Sequence, residues 1–188
     1  MEVDYATVTG SATAGADYVP TSGTLVFPPG MTGQSIKVDL IGDVIDEPDE
    51  TFGVTLSHPV NATIADGFAM ATIVDDDVPR LTILGTDLEE GDAGTSELRF
   101  QALLSPRAYQ PVTFVYETVD GTATAPSDYV STSETHTIPA GETTSSFGVL
   151  INGDRVLEPD EHFEVVVSSP TGAIYDARAS EPFGQINN

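Results

Sequence analysis

Apolar and polar positions alternate with a period of two along most of this chain. Ile36, Val38 and Leu40 alternate with Lys37 and Asp39, and Phe52, Val54 and Leu56 alternate with Gly53 and Thr55. Later in the chain Phe147, Val149 and Ile151, then Phe163, Val165 and Val167, follow the same rhythm. Successive side chains of a strand leave opposite faces, so each set lines one face of a sheet. Further extended runs are expected at Leu81–Leu84 and Ser96–Leu104. Clusters of Gly, Pro, Asp and Ser separate the runs and read as turns, Pro28-Pro29-Gly30 and Pro139-Ala140-Gly141 among them. No stretch offers a helical apolar face of useful length. The pattern predicts an all-β, Ig-like antiparallel sandwich.

The pattern also repeats. Tyr5-Ala-Thr-Val-Thr-Gly-Ser-Ala-Thr-Ala-Gly-Ala-Asp-Tyr18 returns as Tyr116-Glu-Thr-Val-Asp-Gly-Thr-Ala-Thr-Ala-Pro-Ser-Asp-Tyr129, an offset of 111 residues. Glu47-Pro-Asp-Glu-Thr-Phe52 returns at the same offset as Glu158-Pro-Asp-Glu-His-Phe163. A period of this length suits tandem sandwiches, not a short-repeat solenoid. Two modules are expected, 1–78 and 79–188. The first has only four residues ahead of Tyr5. By comparison with the second it is expected to lack about 36 residues, roughly two strands at usual strand-plus-turn spacing. Either a longer array or strands from a neighbour would complete it. Asp75-Asp76-Asp77-Val78-Pro79 forms the boundary, a linker expected to be short and stiff.

Charge changes the picture of partners. Six Lys and Arg face 30 Asp and Glu, a net charge of -24. Nucleic acid and anionic membrane both call for a basic surface, so neither is an expected partner. Cations and basic ligands are. The 39% hydrophobic content and regular strand pattern argue against disorder. The chain has no Cys, which removes disulfides and thiolate chemistry. No apolar run approaches a membrane span, and no charged region followed by an apolar core marks a signal peptide. The expected setting is a secreted or cell-surface protein.

The acidic residues are concentrated. Asp43, Asp46, Glu47, Asp49 and Glu50 fall within eight residues, Asp75, Asp76 and Asp77 end the first copy, and Asp17 precedes Tyr18. Carboxylates at this density repel one another, and a hard divalent cation reverses the sign of that term. Ca²⁺ accepts six to eight oxygens in flexible geometry, whereas Mg²⁺ holds to strict octahedra and keeps waters. Zn and Cu sites are disfavoured without Cys and with only three His. Neither an EF-hand loop nor a nonapeptide repeat is present. The competing reading is solvated loop charge.

Three ordered segments, Asp120-Gly-Thr-Ala-Thr-Ala-Pro-Ser-Asp-Tyr129, Pro139-Ala-Gly-Glu-Thr143 and Gly153-Asp-x-x-x-Glu-Pro-Asp-Glu-x-Phe163, resemble the Calx-β domain. The first copy resembles it too, and closes on Ile73-Val-Asp-Asp-Asp77. The resemblance implies a seven-stranded Ig-like sandwich. Such domains occur in the regulatory loop of sodium–calcium exchangers, in an integrin cytoplasmic tail and in large surface proteins. In exchanger modules it implies Ca²⁺ at one tip of the sandwich. Carried over, it implicates Asp17, Asp43, Glu47, Glu50, Asp75, Asp76 and Asp77 in module one. In module two it implicates Glu90, Asp128, Asp154, Glu158 and Glu161. Gly42 and Gly153 stand where the family has a second Asp. Asn187 and Asn188 replace the terminal Asp run, so module two is expected to bind Ca²⁺ more weakly. Asp75–Asp77 also lie at the junction, where an ion would set the angle between modules.

Chemistry of other kinds finds little support. His58, His136 and His162 lack a neighbouring nucleophile motif. The carboxylates crowd into turns, and no Trp is available to line a sugar cleft. Tyr18 and Tyr129 are expected to pack inside with hydroxyls tied to the backbone. The expectation is a non-enzymatic Ca²⁺-binding structural or adhesion module with flanking domains. The alternative is a metal-independent spacer or protein-interaction sandwich.

Overall fold

The computed structural model describes residues 1–180 and 182–188. It resolves into two compact units, Met1–Asp76 and Asp77–Asn188. The architecture is all-β.

In the second unit, apolar alternation is converted directly into two facing sheets. One has the order β10-β7-β5-β12, made of β5 (Arg80–Leu84), β7 (Gly94–Ser105), β10 (Thr144–Gly153) and β12 (Ile174–Tyr175). The other has the order β6-β13-β11-β8-β9, from β6 (Thr86–Glu89), β8 (Val112–Asp120), β9 (Ser133–Ile138), β11 (Glu161–Thr171) and β13 (Phe183–Asn187). Leu81, Ile83, Leu98, Phe100, Phe114 and Phe163 are among the side chains fully withdrawn from water between them. Phe163 stacks on Tyr129 with ring centroids 4.5 Å apart and meets Phe100 edge-on at 6.1 Å.

The ladders are antiparallel except at two edges. β12 pairs with β5, and β13 with β6, in parallel. These exceptions have one origin. The segment opening the unit runs as β5 in the first sheet, crosses at Gly85, and continues as β6 in the second. One segment thus supplies a strand to each sheet.

The first unit carries one four-stranded antiparallel sheet of order β2-β1-β3-β4. Its strands are β1 (Glu2–Thr9), β2 (Ser22–Val26), β3 (Glu50–Val60) and β4 (Phe68–Ile73). Its core is small: Ala12, Tyr18 and Phe52 are buried, with Tyr18 and Phe52 stacked at 4.5 Å.

The strand expected at Ile36–Leu40 does not form. Apart from a single bridge between Tyr18 and Leu40, residues 34–42 enter no ladder. Their counterparts in the second unit form β10, which pairs with β7 from Thr144 to Gly153. Alternation supplies the face of a strand, but a strand also needs a neighbouring backbone to hydrogen-bond.

Candidate metal centre

Two short loops per unit build the acidic tip, and glycine makes their approach possible. In unit one, a Cβ on Gly10 would lie 2.4 Å from the Thr51 carbonyl oxygen. In unit two, a Cβ on Gly121 would lie 2.4 Å from the His162 carbonyl oxygen. Because both residues are glycine, the loop after β1 or β8 closes onto the start of β3 or β11. Ala12 N–H then donates to Thr51 O, and Ala123 N–H to His162 O, each at 2.9 Å. Ser11 Oγ and Thr122 Oγ1 accept the main-chain N–H of Thr51 (2.8 Å) and His162 (2.9 Å). The loop is therefore stapled one residue beyond Glu50 or Glu161.

The same loops aim an Asp at those glutamates. Asp17 Oδ2 accepts from Thr13 N–H, and Asp128 Oδ2 from Thr124 N–H, both at 2.6 Å. Carboxylate oxygens of Asp17, Glu47 and Glu50 converge within 4.8 Å of one another, as do those of Asp128, Glu158 and Glu161. Five of these six residues are half-buried; Glu47 is exposed.

The remaining candidates divide. Glu90 is buried, 8% exposed, and its carboxyl feels Asp154, Glu158 and Asp128. Asp43 and Asp154 turn a carboxylate oxygen back on their own loops, accepting from Ile45 N–H (2.8 Å) and Val156 N–H (2.6 Å). Asp75, Asp76 and Asp77 are not members of the first trio. The main chain of Asp75 donates to Asp49 Oδ1 at 3.1 Å. Asn187 and Asn188 spend their side-chain amides on Asp87 Oδ2 (3.3 Å) and Pro159 O (3.2 Å). A shallow cavity of about 610 Å³, lined by Glu90, Asp154, Asn187 and Asn188 among others, opens beside Glu90.

Electrostatics explains why these groups are under tension. Burial raises the Glu161 carboxyl above its usual range, and the charges of Asp128 and Glu158 add to the rise. Burial raises Glu90 as well, reinforced by Asp154, Glu158 and Asp128 and opposed by a main-chain hydrogen bond from Asp154. Glu50 is raised by burial first, then by Asp17 and Glu47. Among the described residues the ion pairs lie elsewhere: Lys37–Asp39, His58–Asp4, Arg80–Asp176 and Arg99–Glu97. The trios hold oxygen donors only, and among the described residues none of these ion pairs involves them. That donor set fits a hard divalent cation of the calcium type and gives a soft metal nothing to bind.

Some supporting residues escaped the sequence pattern. Asp120 accepts from the Tyr129 hydroxyl at 2.5 Å and from Ala125 N–H at 3.0 Å, which fixes the loop carrying Asp128. The Tyr129 hydroxyl is thus tied to a side chain, not to the backbone as expected. Its hydrogen bond to Tyr129 holds the Asp120 carboxyl below its usual range. The counterpart of Asp120 in the first repeat is Thr9, so no repeated signal marks it.

Comparison with known proteins follows the same lines. The model of the Calx-beta domain matches residues 1–77 and 90–182. Sodium/calcium exchanger 2 of Rattus norvegicus is 34% identical over 138 residues, covering 64% of this chain and 15% of that protein. Sodium/calcium exchanger 3 of Homo sapiens is 30% identical over 193 residues, covering 90% of this chain and 21% of that protein. The chain therefore spans about a fifth or less of these relatives. Among solved structures, the apo form of the Calx CBD1 domain superposes with a TM-score of 0.52 at 22% identity, over 59% of this chain and 97% of that one. This likeness supports the Ig-like sandwich.

The secreted or cell-surface setting is overturned by these relatives, which are sodium/calcium exchangers, and they lend the expected adhesive role no support. The physical reason is simple. An acidic, Cys-free surface satisfies solvation in either compartment, so composition does not discriminate between them. No helix among the described residues is long and apolar enough to cross a membrane.

Proposed function

Since this chain belongs to the Calx-β domain family, we propose that it is a non-catalytic calcium-binding regulatory segment of a longer exchanger-type protein, with one site in each unit. One observation carries the reading. A single three-carboxylate arrangement occurs twice at the repeat offset, Asp17, Glu47 and Glu50 returning as Asp128, Glu158 and Glu161. The same three side chains converge in each of the two compact units, and five of the six are half-buried.

In this reading Asp17, Glu47 and Glu50 hold the ion in unit one, with Asp43, Asp75 and Asp76 of the same unit as further oxygen donors. Asp128, Glu158 and Glu161 hold it in unit two, with the buried Glu90 and Asp154 beside them. A bound calcium ion would supply the positive charge that these groups lack. The chain's own contribution is positional. The stapled loops hold Asp17 or Asp128 against Glu50 or Glu161, and Glu47 or Glu158 comes from an acidic loop outside the strands. Neutralising the trio lets that loop settle against the strand, a change a neighbouring domain can sense.

Calcium titration into chelator-stripped protein, with magnesium as control, tests the proposal. Two saturable sites are expected. Asp17→Asn with Glu50→Gln should remove one, and Asp128→Asn with Glu161→Gln the other. Unchanged stoichiometry in both double variants rejects the sites.

A further inference from the structure

The two trios share their donors but not the ties on the loop that presents one of them. In both units the Asp comes from a loop closed along the same backbone path. Asp17 Oδ2 accepts from Thr13 N–H as Asp128 Oδ2 does from Thr124 N–H. Ile41 N–H donates to Asp17 O as Asn152 N–H does to Asp128 O, each at 2.9 Å.

Unit two adds side-chain ties for which unit one lacks the groups. Asp120 Oδ1 accepts from the Tyr129 hydroxyl (2.5 Å) and from Ala125 N–H (3.0 Å), joining both ends of the loop to its middle. Asn152 Nδ2 donates to Pro126 O (2.8 Å) and Ser127 O (3.2 Å). Ser127 Oγ donates to Thr124 O at 2.9 Å. At the repeat offset the counterparts of Asp120, Asn152 and Ser127 are Thr9, Ile41 and Ala16. Ile and Ala have no side-chain donor, and Thr has no carboxylate. The apex differs as well: unit one has Gly15, at a φ of 89°, where unit two has Pro126. Glycine leaves the backbone freest and proline fixes its φ. Every one of these differences makes loop 120–129 stiffer than loop 9–18.

Stiffness bears on which ion fits. Ca²⁺ takes oxygens at about 2.3–2.6 Å in adaptable geometry, whereas Mg²⁺ demands about 2.0–2.1 Å and a near-ideal octahedron. Donors spaced for Ca²⁺ must each close in by about 0.3 Å to suit Mg²⁺. A loop with a glycine apex can follow that contraction; a loop tied at both ends and in the middle resists it.

We propose that Asp120 and Asn152 are specificity-determining residues of unit two, which hold Asp128 at a calcium-sized spacing and so discriminate against magnesium, while loop 9–18 of unit one yields to either ion. Neither residue belongs to the trio; both act through Asp128 as positioning residues. The inference rests on the calcium-site reading above.

Calcium titration of the full 188-residue protein, with and without a millimolar magnesium background, tests it one unit at a time. Asp128→Asn with Glu161→Gln leaves unit one to report, and Asp17→Asn with Glu50→Gln leaves unit two. Magnesium should raise the apparent calcium dissociation constant of unit one about fivefold or more, and that of unit two less than about twofold. Unit one also offers Asp75 and Asp76, so the decisive comparison is within a unit. Asp120→Thr with Asn152→Ile, the residues unit one already carries, should make unit two as magnesium-sensitive as unit one. Thr9→Asp with Ile41→Asn should lower the sensitivity of unit one. Hydrogen exchange in chelator gives a metal-free reading. Amides of 120–129 should exchange about tenfold more slowly than those of 9–18. Asp120→Thr with Asn152→Ile should erase that difference while the strands of unit two stay protected. Calcium binding in both units with equal magnesium sensitivity, or a sensitivity unmoved by the exchanged residues, overturns this inference and leaves the calcium-site reading standing. Equal exchange of the two loops in chelator overturns it too. No saturable calcium binding in either unit rejects that reading, and this inference with it.

Discussion

Glu161→Gln should have opposite effects with and without calcium. Glu161 shares a space 4.8 Å across with the carboxylates of Asp128 and Glu158. Two unit charges at that separation repel by about 0.9 kcal/mol at the permittivity of water and about 3.5 kcal/mol at an effective value of 20. The trio is half-buried and screened by solvent and salt, so the lower end applies, about 1 kcal/mol per pair. Removing one charge relieves two pairs, and the metal-free variant should be more stable by about 2 kcal/mol, a gain of roughly 5–10 °C for a unit of this size. With calcium at a hundred times its dissociation constant, the unaltered protein gains about 2.7 kcal/mol by linkage, which the variant largely forfeits. Calorimetry in chelator and in calcium, following the unit-two transition, reads both arms. The metal-free gain should shrink in 1 M salt. A variant that is less stable in chelator, or that keeps the full calcium increment, would refute the reasoning.

Three further outcomes follow from the same geometry. Glu50, Glu90 and Glu161 all have folded-state pKa values raised above the ordinary Glu value. The folded protein therefore holds protons that the unfolded chain has released, and the stability these groups contribute is full below the unfolded pKa and lost as pH rises through the folded values. In chelator, the stability difference between Glu161→Gln and the unaltered protein should widen as pH is raised from about 4.5 toward neutrality, measured by urea denaturation at successive pH values. Gly121→Ala, which drives a Cβ to 2.4 Å from the His162 carbonyl, should cost about 1–3 kcal/mol and weaken calcium binding in unit two while leaving unit one unchanged. Tyr129→Phe keeps the ring stacked on Phe163 but removes the hydroxyl's hydrogen bond to the exposed Asp120 carboxylate, which still accepts from Ala125 N–H. It should lower stability slightly by chemical denaturation, and the loss should shrink in an Asp120→Asn background.

Much of the site was legible because its cause is local. Asp17 and Asp128 each accept a main-chain N–H four residues back, a loop geometry written in the Thr-Ala-x-x-Asp-Tyr spacing. Glu47 with Glu50, and Glu158 with Glu161, sit three residues apart at a strand entrance. Glu90 was legible only through family resemblance. Its burial depends on β6 and β13 lying side by side, a pairing of residues about a hundred apart in sequence. Asp43 and Asp154 carry a second demand that counting carboxylates does not reveal: each accepts through one oxygen from a main-chain N–H two residues on.

Period-two alternation determined that this chain is all-β, and the offset of 111 residues determined that it is built twice. The crowding of Asp and Glu determined that the loops offer oxygen donors and no soft ligand. These are properties of side chains and of near neighbours along the chain. Tertiary structure decided which alternating runs became strands. Ile36–Leu40 and Phe147–Ile151 carry the same pattern, but only the second has β7 beside it. It also decided which carboxylates converge, through loops pinned across gaps of about forty residues. A hydrogen-bond ladder and a converging trio are both relations between distant segments, and their free energy does not exist until those segments meet.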